Sequence, residues 1–100
     1  MAVKLLMTWD IRLGREQEYF EFVVREFIPQ IQRLGLEPAD AWYTVYGDHP
    51  QIMVSAKSET LTFLKQVMHS SEWESMINKL LDFVENFHQK TVIDHPGFQM

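Results

Sequence analysis

The stretch VKLLMTWDIRLGREQEYFEFVVREFIPQIQRLG, residues 3–35, changes its period midway, and that change decides the fold. Over residues 3–12, Val3, Leu5, Met7, Trp9 and Ile11 alternate with Lys4, Leu6, Thr8, Asp10 and Arg12, the two-residue repeat of a strand. Beyond Gly14, the apolar positions Phe20, Val23, Val24, Phe27, Ile31 and Leu34 recur at three- and four-residue steps. That spacing predicts a helix over 15–34, stopped by Gly35. Pro29 lies inside the pattern, where it lacks an amide donor and crowds the carbonyl four residues earlier, so a bend or break is expected near Phe27.

Working outward, residues 41–46 are rich in aromatic and β-branched side chains and run into the turn cluster Gly47, Asp48, His49 and Pro50. Residues 51–57 alternate again, which predicts a hairpin with Tyr46 facing Gln51, Val45 facing Ile52, Tyr43 facing Val54 and Trp42 facing Ser55. Two helical stretches follow between Thr60 and Asn86. Leu61, Leu64, Val67 and Met68 mark the first, and Trp73, Met76, Ile77, Leu80, Leu81 and Val84 the second. A break is expected near His69, with Ser71 and Glu74 at capping-box spacing. Residues 87–94 read as a last strand, with His88, Lys90 and Val92 in one phase and Gln89, Thr91 and Ile93 in the other.

The order βαββαβ with two right-handed crossovers places strands one and three in the centre, strands four and two outside, and both helical segments on one face. The expected fold is therefore α+β, a ferredoxin-like four-stranded antiparallel sheet in one domain over residues 1–100. The helices cover the side carrying Val3, Leu5, Met7, Trp9, Val45, Ile52 and Val54. The other side carries Leu6, Thr8, Trp42, Thr44, Tyr46 and Met53, more apolar surface than a monomer leaves in water. A second copy of the same face would cover it symmetrically, so a homodimer is expected.

Composition narrows the function classes. The chain has 9 Lys and Arg against 14 Asp and Glu, a net charge of -5, so a phosphate-neutralising surface for nucleic acid is not expected. No cysteine is present, which removes thiol nucleophiles and thiolate metal sites. No apolar run reaches the roughly 20 residues of a membrane span, and Asp10 interrupts the N-terminal apolar stretch too early for a signal peptide. A soluble cytoplasmic protein without a membrane partner is expected.

The βαββαβ layout and the stretch SSEWESMINKLLDFVENFHQKTVID, residues 70–94, in which a Ser-capped helix bearing Trp73 leads into the last strand, resemble the dimeric α/β-barrel superfamily. Its antibiotic-biosynthesis-monooxygenase-like and NIPSNAP-like branches are included in that likeness. The resemblance covers nearly the whole chain and rests on a pattern of elements rather than a diagnostic motif. It implies a two-sheet barrel across a dimer, with a cavity in each subunit between sheet and helices or inside the barrel. The activities it implies range over cofactor-free oxygenation, haem degradation and isomerisation. Haem-degrading members pair His with Trp and use an Asn on the first strand, where this chain has Trp9 and Asp10 instead.

Three residues are catalytic candidates: His88, His69 and Asp10. His88 enters the barrel beside Lys90 if its phase points away from the helices. His69 and Trp73 stand four apart at the helix break, a spacing that suits an imidazole and an indole wall on one side of a pocket; the more common arrangement has Trp73 anchoring the helix to the sheet and His69 in solvent at the helix end. Asp10 shares the phase of Leu6 and Thr8, where an apolar cavity would raise its pKa and make it a base; more often such a residue is the polar end of a strand. Trp42 and Tyr46 are placed to clamp a flat apolar ligand or to anchor the dimer, with Thr8, Met53 and Trp73 as further substrate-binding candidates. The four His show no metal-ligand spacing and no phosphate loop occurs, so neither metal nor cofactor is expected. Two functions compete: binding or cofactor-free transformation of a small apolar or aromatic molecule, and a non-catalytic dimerisation module without a substrate cavity.

Overall fold

The computed structural model describes residues 2–44 and 51–94. Four strands, β1 (Val3–Ile11), β2 (Glu37–Tyr43), β3 (Ile52–Ser58) and β4 (Val84–Ile93), form one antiparallel sheet in the order β2-β3-β1-β4. Helices α1 (Glu16–Phe22) and α2 (Ile28–Arg33) lie between β1 and β2, and α3 (Leu61–Met68) and α4 (Ser71–Leu80) between β3 and β4. The ferredoxin-like α+β fold is thus as the periodicities require. Among the described residues no helix is long and apolar enough to cross a membrane.

Pro29 has the expected effect in a specific form. Between α1 and α2 the chain widens into a π-helical turn, Val23–Phe27, and Pro29 follows at the second position of α2. The wider turn accommodates the amide donor that Pro29 lacks, and it also rotates the helix face. Tyr19, Phe22, Phe27 and Ile31 are the buried positions, with a five-residue step from Phe22 to Phe27. Phe20 and Val24, expected in the apolar stripe, are instead exposed at 53% and 70%. The helix ends in a Schellman motif: Leu36 N–H donates to Ile31 O and Gly35 N–H to Gln32 O, with Gly35 at φ +91°.

The core sits between helices and sheet. Val3, Leu5, Met7, Trp9 and Ile11 of β1, with Ile52, Val54 and Ala56 of β3, are all buried, so the strand alternation sorted the two faces correctly. Trp9 is fully buried, stacks on Phe87 at 5.9 Å, meets Phe27 edge-on at 5.8 Å and donates its indole N–H to the Tyr19 hydroxyl at 3.0 Å. Each such aromatic pair contributes about 0.5–1.5 kcal/mol beyond area burial.

Four local expectations are corrected. The β2–β3 register is two residues off the expected one, with Tyr43 facing Ile52, Trp42 facing Met53 and Ala41 facing Val54. A slip of two preserves the faces. β2 also starts earlier, because Pro38 on an edge strand forfeits no ladder bond and a bulge between Pro38 and Asp40 absorbs it. Ser55 compensates at the bulge: its hydroxyl accepts from Asp40 N–H and donates to Asp40 Oδ2, both at 3.0 Å. The cap of α4 is Ser70, which accepts from Trp73 N–H, rather than Ser71. β4 begins at Val84 instead of Phe87, since α4 stops at Leu80 and a short turn returns the chain to β1. The expected turn at Gly47–Pro50, together with Val45 and Tyr46, lies outside the described residues, as does the segment 95–100.

Candidate functional site

The sheet face away from the helices is built by cross-strand register alone. Trp42 pairs with Met53, Met53 with Thr8, and Thr8 with His88, so these four side chains form one row across all four strands. The neighbouring row is Asp40, Ser55, Leu6 and Lys90. Four of the sequence-derived site residues are thereby brought together by pairing between segments far apart in the chain. Leu6, Thr8 and Met53 are half-buried, whereas Trp42 is 62% exposed and His88 and Lys90 reach solvent.

A hollow of about 310 Å³ lies on this face, lined by Leu6, Thr8, Met53, His88, Gln89 and Lys90. Its volume is at the lower end of what organic-ligand sites occupy, roughly 300 Å³ and upward. The floor is apolar, from Leu6 and Met53, and the polar groups stand along β4 and at Thr8. His88 therefore faces the open side of the sheet, in the phase that places it beside Lys90.

Both ends of the face are closed by ionic and polar contacts. At one end Lys4 bridges Asp40 at 3.2 Å and Asp94 at 3.7 Å, and Lys57 pairs with Asp94 at 3.0 Å. The ammonium groups hold Asp40 and Asp94 below the ordinary carboxylate range, for Asp40 through the Lys4 and Ser55 hydrogen bonds and for Asp94 chiefly through Lys57. At the other end Asp10 accepts from Asn86 Nδ2 at 3.0 Å and from Gln51 N–H at 2.8 Å, while Gln51 Oε1 accepts from Ile11 N–H at 2.8 Å. The pKa of Asp10 is consequently lowered, first by Asn86 and then by the Gln51 amide, against the rise expected from sequence. A carboxylate so well solvated by donors is a weak base, and Asp10 serves as a clasp between β1, the β2–β3 hairpin and β4.

The helix-break pair separates. His69 is exposed at the C-cap of α3, its Nδ1 2.7 Å from Lys65 O, whereas Trp73 is 4% exposed inside the core. Tyr46 lies outside the described residues. Among the described residues no group of three His, Asp or Glu side chains is placed to hold a metal ion.

A second concavity, of about 370 Å³, lies between sheet and helices, where the resemblance implies one, and Trp42 is the site candidate that lines it. It runs between α1 and the edge strand β2 on the helix side, with Phe20, Val23, Ile28 and Tyr43 among its walls. Phe20 reaches it because the π-helical turn shifts the buried face of the helix, which an ideal helical period conceals.

Comparison with known proteins gives a consistent structural result. No protein-family model matches the chain, and no curated protein matches it by sequence. Solved structures do match along nearly the full length. A NIPSNAP family protein from Agrobacterium tumefaciens superposes with a TM-score of 0.70 at 20% identity, covering 96% of this chain and 95% of that one. An uncharacterised NIPSNAP-like domain protein from Burkholderia xenovorans gives 0.71 at 15% identity, covering 99% and 90%. A point mutant of SnoaB, a cofactor-independent oxygenase from Streptomyces nogalater, gives 0.72 at 8% identity, covering 99% and 98%. At these identities the likeness is one of fold, and the chain shares its ferredoxin-like architecture with NIPSNAP proteins and with a cofactor-independent oxygenase.

Proposed function

We propose that the protein is a homodimer whose open sheet faces pack together, and that the hollow over Leu6, Thr8 and Met53 binds a small apolar or aromatic molecule. The row Trp42, Met53, Thr8 and His88 carries this reading, because it joins an apolar floor to a titratable side chain on a face that no element of the chain covers among the described residues. Trp42, 62% exposed, together with half-buried Leu6 and Met53 gives this face an apolar centre that favours a symmetric partner. The polar clasps at both ends would form the rim of such an interface and the apolar row its centre.

In that enclosure His88 is the general base or acid and Thr8 a hydrogen-bonding group opposite it, with Trp42 next to Met53 in the same row but outside the hollow's lining. The chemistry is cofactor-free, of the broad kind that the name of SnoaB indicates for that protein. His69 and Asp10 are secondary candidates, the first in solvent and the second held as a carboxylate. The cytoplasm is the proposed location, and neither nucleic acid nor membrane is a proposed partner.

Native mass spectrometry of freshly purified protein tests both parts together, by subunit count and retained small molecules. The expected result is a dimer that takes up an aromatic ligand, with His88→Ala abolishing uptake and leaving the dimer intact. A dimer that takes up no ligand at any tested concentration supports the competing reading, a non-catalytic dimerisation module. The cleft beside Phe20 and Tyr43 is the alternative ligand site, favoured by its apolar walls; uptake lost in Tyr43→Ala but retained in His88→Ala would assign the ligand there.

A further inference from the structure

Five of the nine cations of this chain have ion-pair partners among the described residues, and of the four that do not, Arg25, Arg33, Lys65 and Lys90, only Lys90 lines the open-face hollow. Lys4 and Lys57 pair with Asp40 and Asp94, Arg12 with Glu85, Arg15 with Glu18 and Lys79 with Glu26. Lys90, on the wall of the open-face hollow, has no ion-pair partner among the described residues, although the chain carries five more acidic than basic groups. Its nearest cross-strand neighbour is Leu6, so its stem lies over the apolar floor, and the next residue in its phase is His88. On the same face, Asp40 stands three strands away in the same row and is engaged by Lys4 and Ser55. Asp10, beyond His88, is engaged by Asn86 and Gln51.

We propose that the open-face hollow takes an amphipathic organic anion, an apolar or aromatic body bearing one carboxylate or phenolate, with Lys90 as its counter-charge. The assignment rests on the reading of the hollow as a ligand site and adds the ligand's charge. Lys90 and His88 are two residues apart on one strand, so their α-carbons are separated by about 6.6 Å, a spacing that lets the ammonium meet one oxygen of a carboxylate. The imidazole or the Thr8 hydroxyl opposite it meets the other. The body of the ligand then lies over Leu6 and Met53 and points along the row towards Trp42. Enclosure by a second sheet strengthens the requirement, since an ammonium removed from water needs an opposite charge.

The test is calorimetric titration of the full chain with 1-naphthoate and with its neutral counterpart 1-naphthamide, sedimentation being measured on the same samples. The wild-type protein should bind naphthoate about tenfold or more tightly than the amide. Lys90→Gln should bring the two to parity without changing subunit count, and Lys90→Arg should restore the preference. Equal affinities in the wild type, or an undiminished preference in Lys90→Gln, overturn the anion assignment while the ligand site stands. Binding of neither probe by the wild type overturns both.

Discussion

Asn86 Nδ2 donates to Asp10 Oδ2 at 3.0 Å from a residue whose φ is 57°. The β1–β4 register shifts between Thr8 and Asp10, and Asn86 sits in the bulge opposite that shift. Asn tolerates the left-handed region better than other residues with a Cβ, and here its amide also closes the polar end of the open face. Asn86→Ala should lose about 1–2 kcal/mol through strain and the missing hydrogen bond. Asn86→Gly should lose less, since the backbone is relieved. Thermal melts of the two variants check this, and equal losses would contradict the role given to the backbone.

Stability should fall in acid. Asp10, Asp40 and Asp94 all have pKa values lowered in the folded chain, Asp10 by Asn86 first, Asp40 by Lys4 and Asp94 by Lys57. A carboxyl with a depressed folded pKa binds its proton more weakly when folded. Its stabilisation is complete above the ordinary Asp value of about 3.9 and is lost as pH falls through the folded value. Urea melts between neutrality and about pH 3 should show a decline that Asp40→Asn makes shallower. A flat profile in the wild type would contradict the assignment of these three groups.

Tyr19→Phe should cost more than its single oxygen suggests. The Tyr19 hydroxyl is the acceptor for the indole N–H of fully buried Trp9, and removing it leaves that donor unsatisfied, a loss of about 1–3 kcal/mol. Denaturant unfolding measures it. In Trp9→Phe, where the donor is gone, the same change at Tyr19 should cost clearly less.

Gly35→Ala should destabilise by about 1 kcal/mol or more, because φ +91° is strained for any residue with a Cβ and the new methyl would lie 2.8 Å from Phe63 Cζ. Phe63→Leu in the same background should relieve the contact and not the strain, so thermal stability should recover in part. Full recovery would contradict the backbone part of the account.

The residues differ in how much of this they disclosed. Val3 to Ile11 declare both faces of the sheet through strict alternation, and those faces are what put Thr8, Met53, Trp42 and His88 on one side. The exact row was not legible, since shifting the hairpin by two residues leaves every face unchanged and the alternation cannot distinguish the registers. Pro29 announced a distortion, but only the inserted turn shows that Phe20 and Val24 face outward. The junction from α4 to β4 carries no Gly or Pro, so its apolar run reads equally as more helix. Asp10 reads from its neighbours on β1 either as a cavity base or as the polar end of a strand, and the donors that decide for the second, Asn86 and Gln51, are distant in sequence.

The most direct measurement is sedimentation velocity of the full chain at low micromolar concentration, with Met53→Arg as the comparison and circular dichroism confirming that both are folded. The account predicts that the wild type sediments at twice the 11.9 kDa chain mass and that the charged substitution, placed at the middle of the apolar row, returns it to a folded single chain. A wild-type protein that runs as a folded 11.9 kDa species throughout, with its open face stable in water, would contradict it.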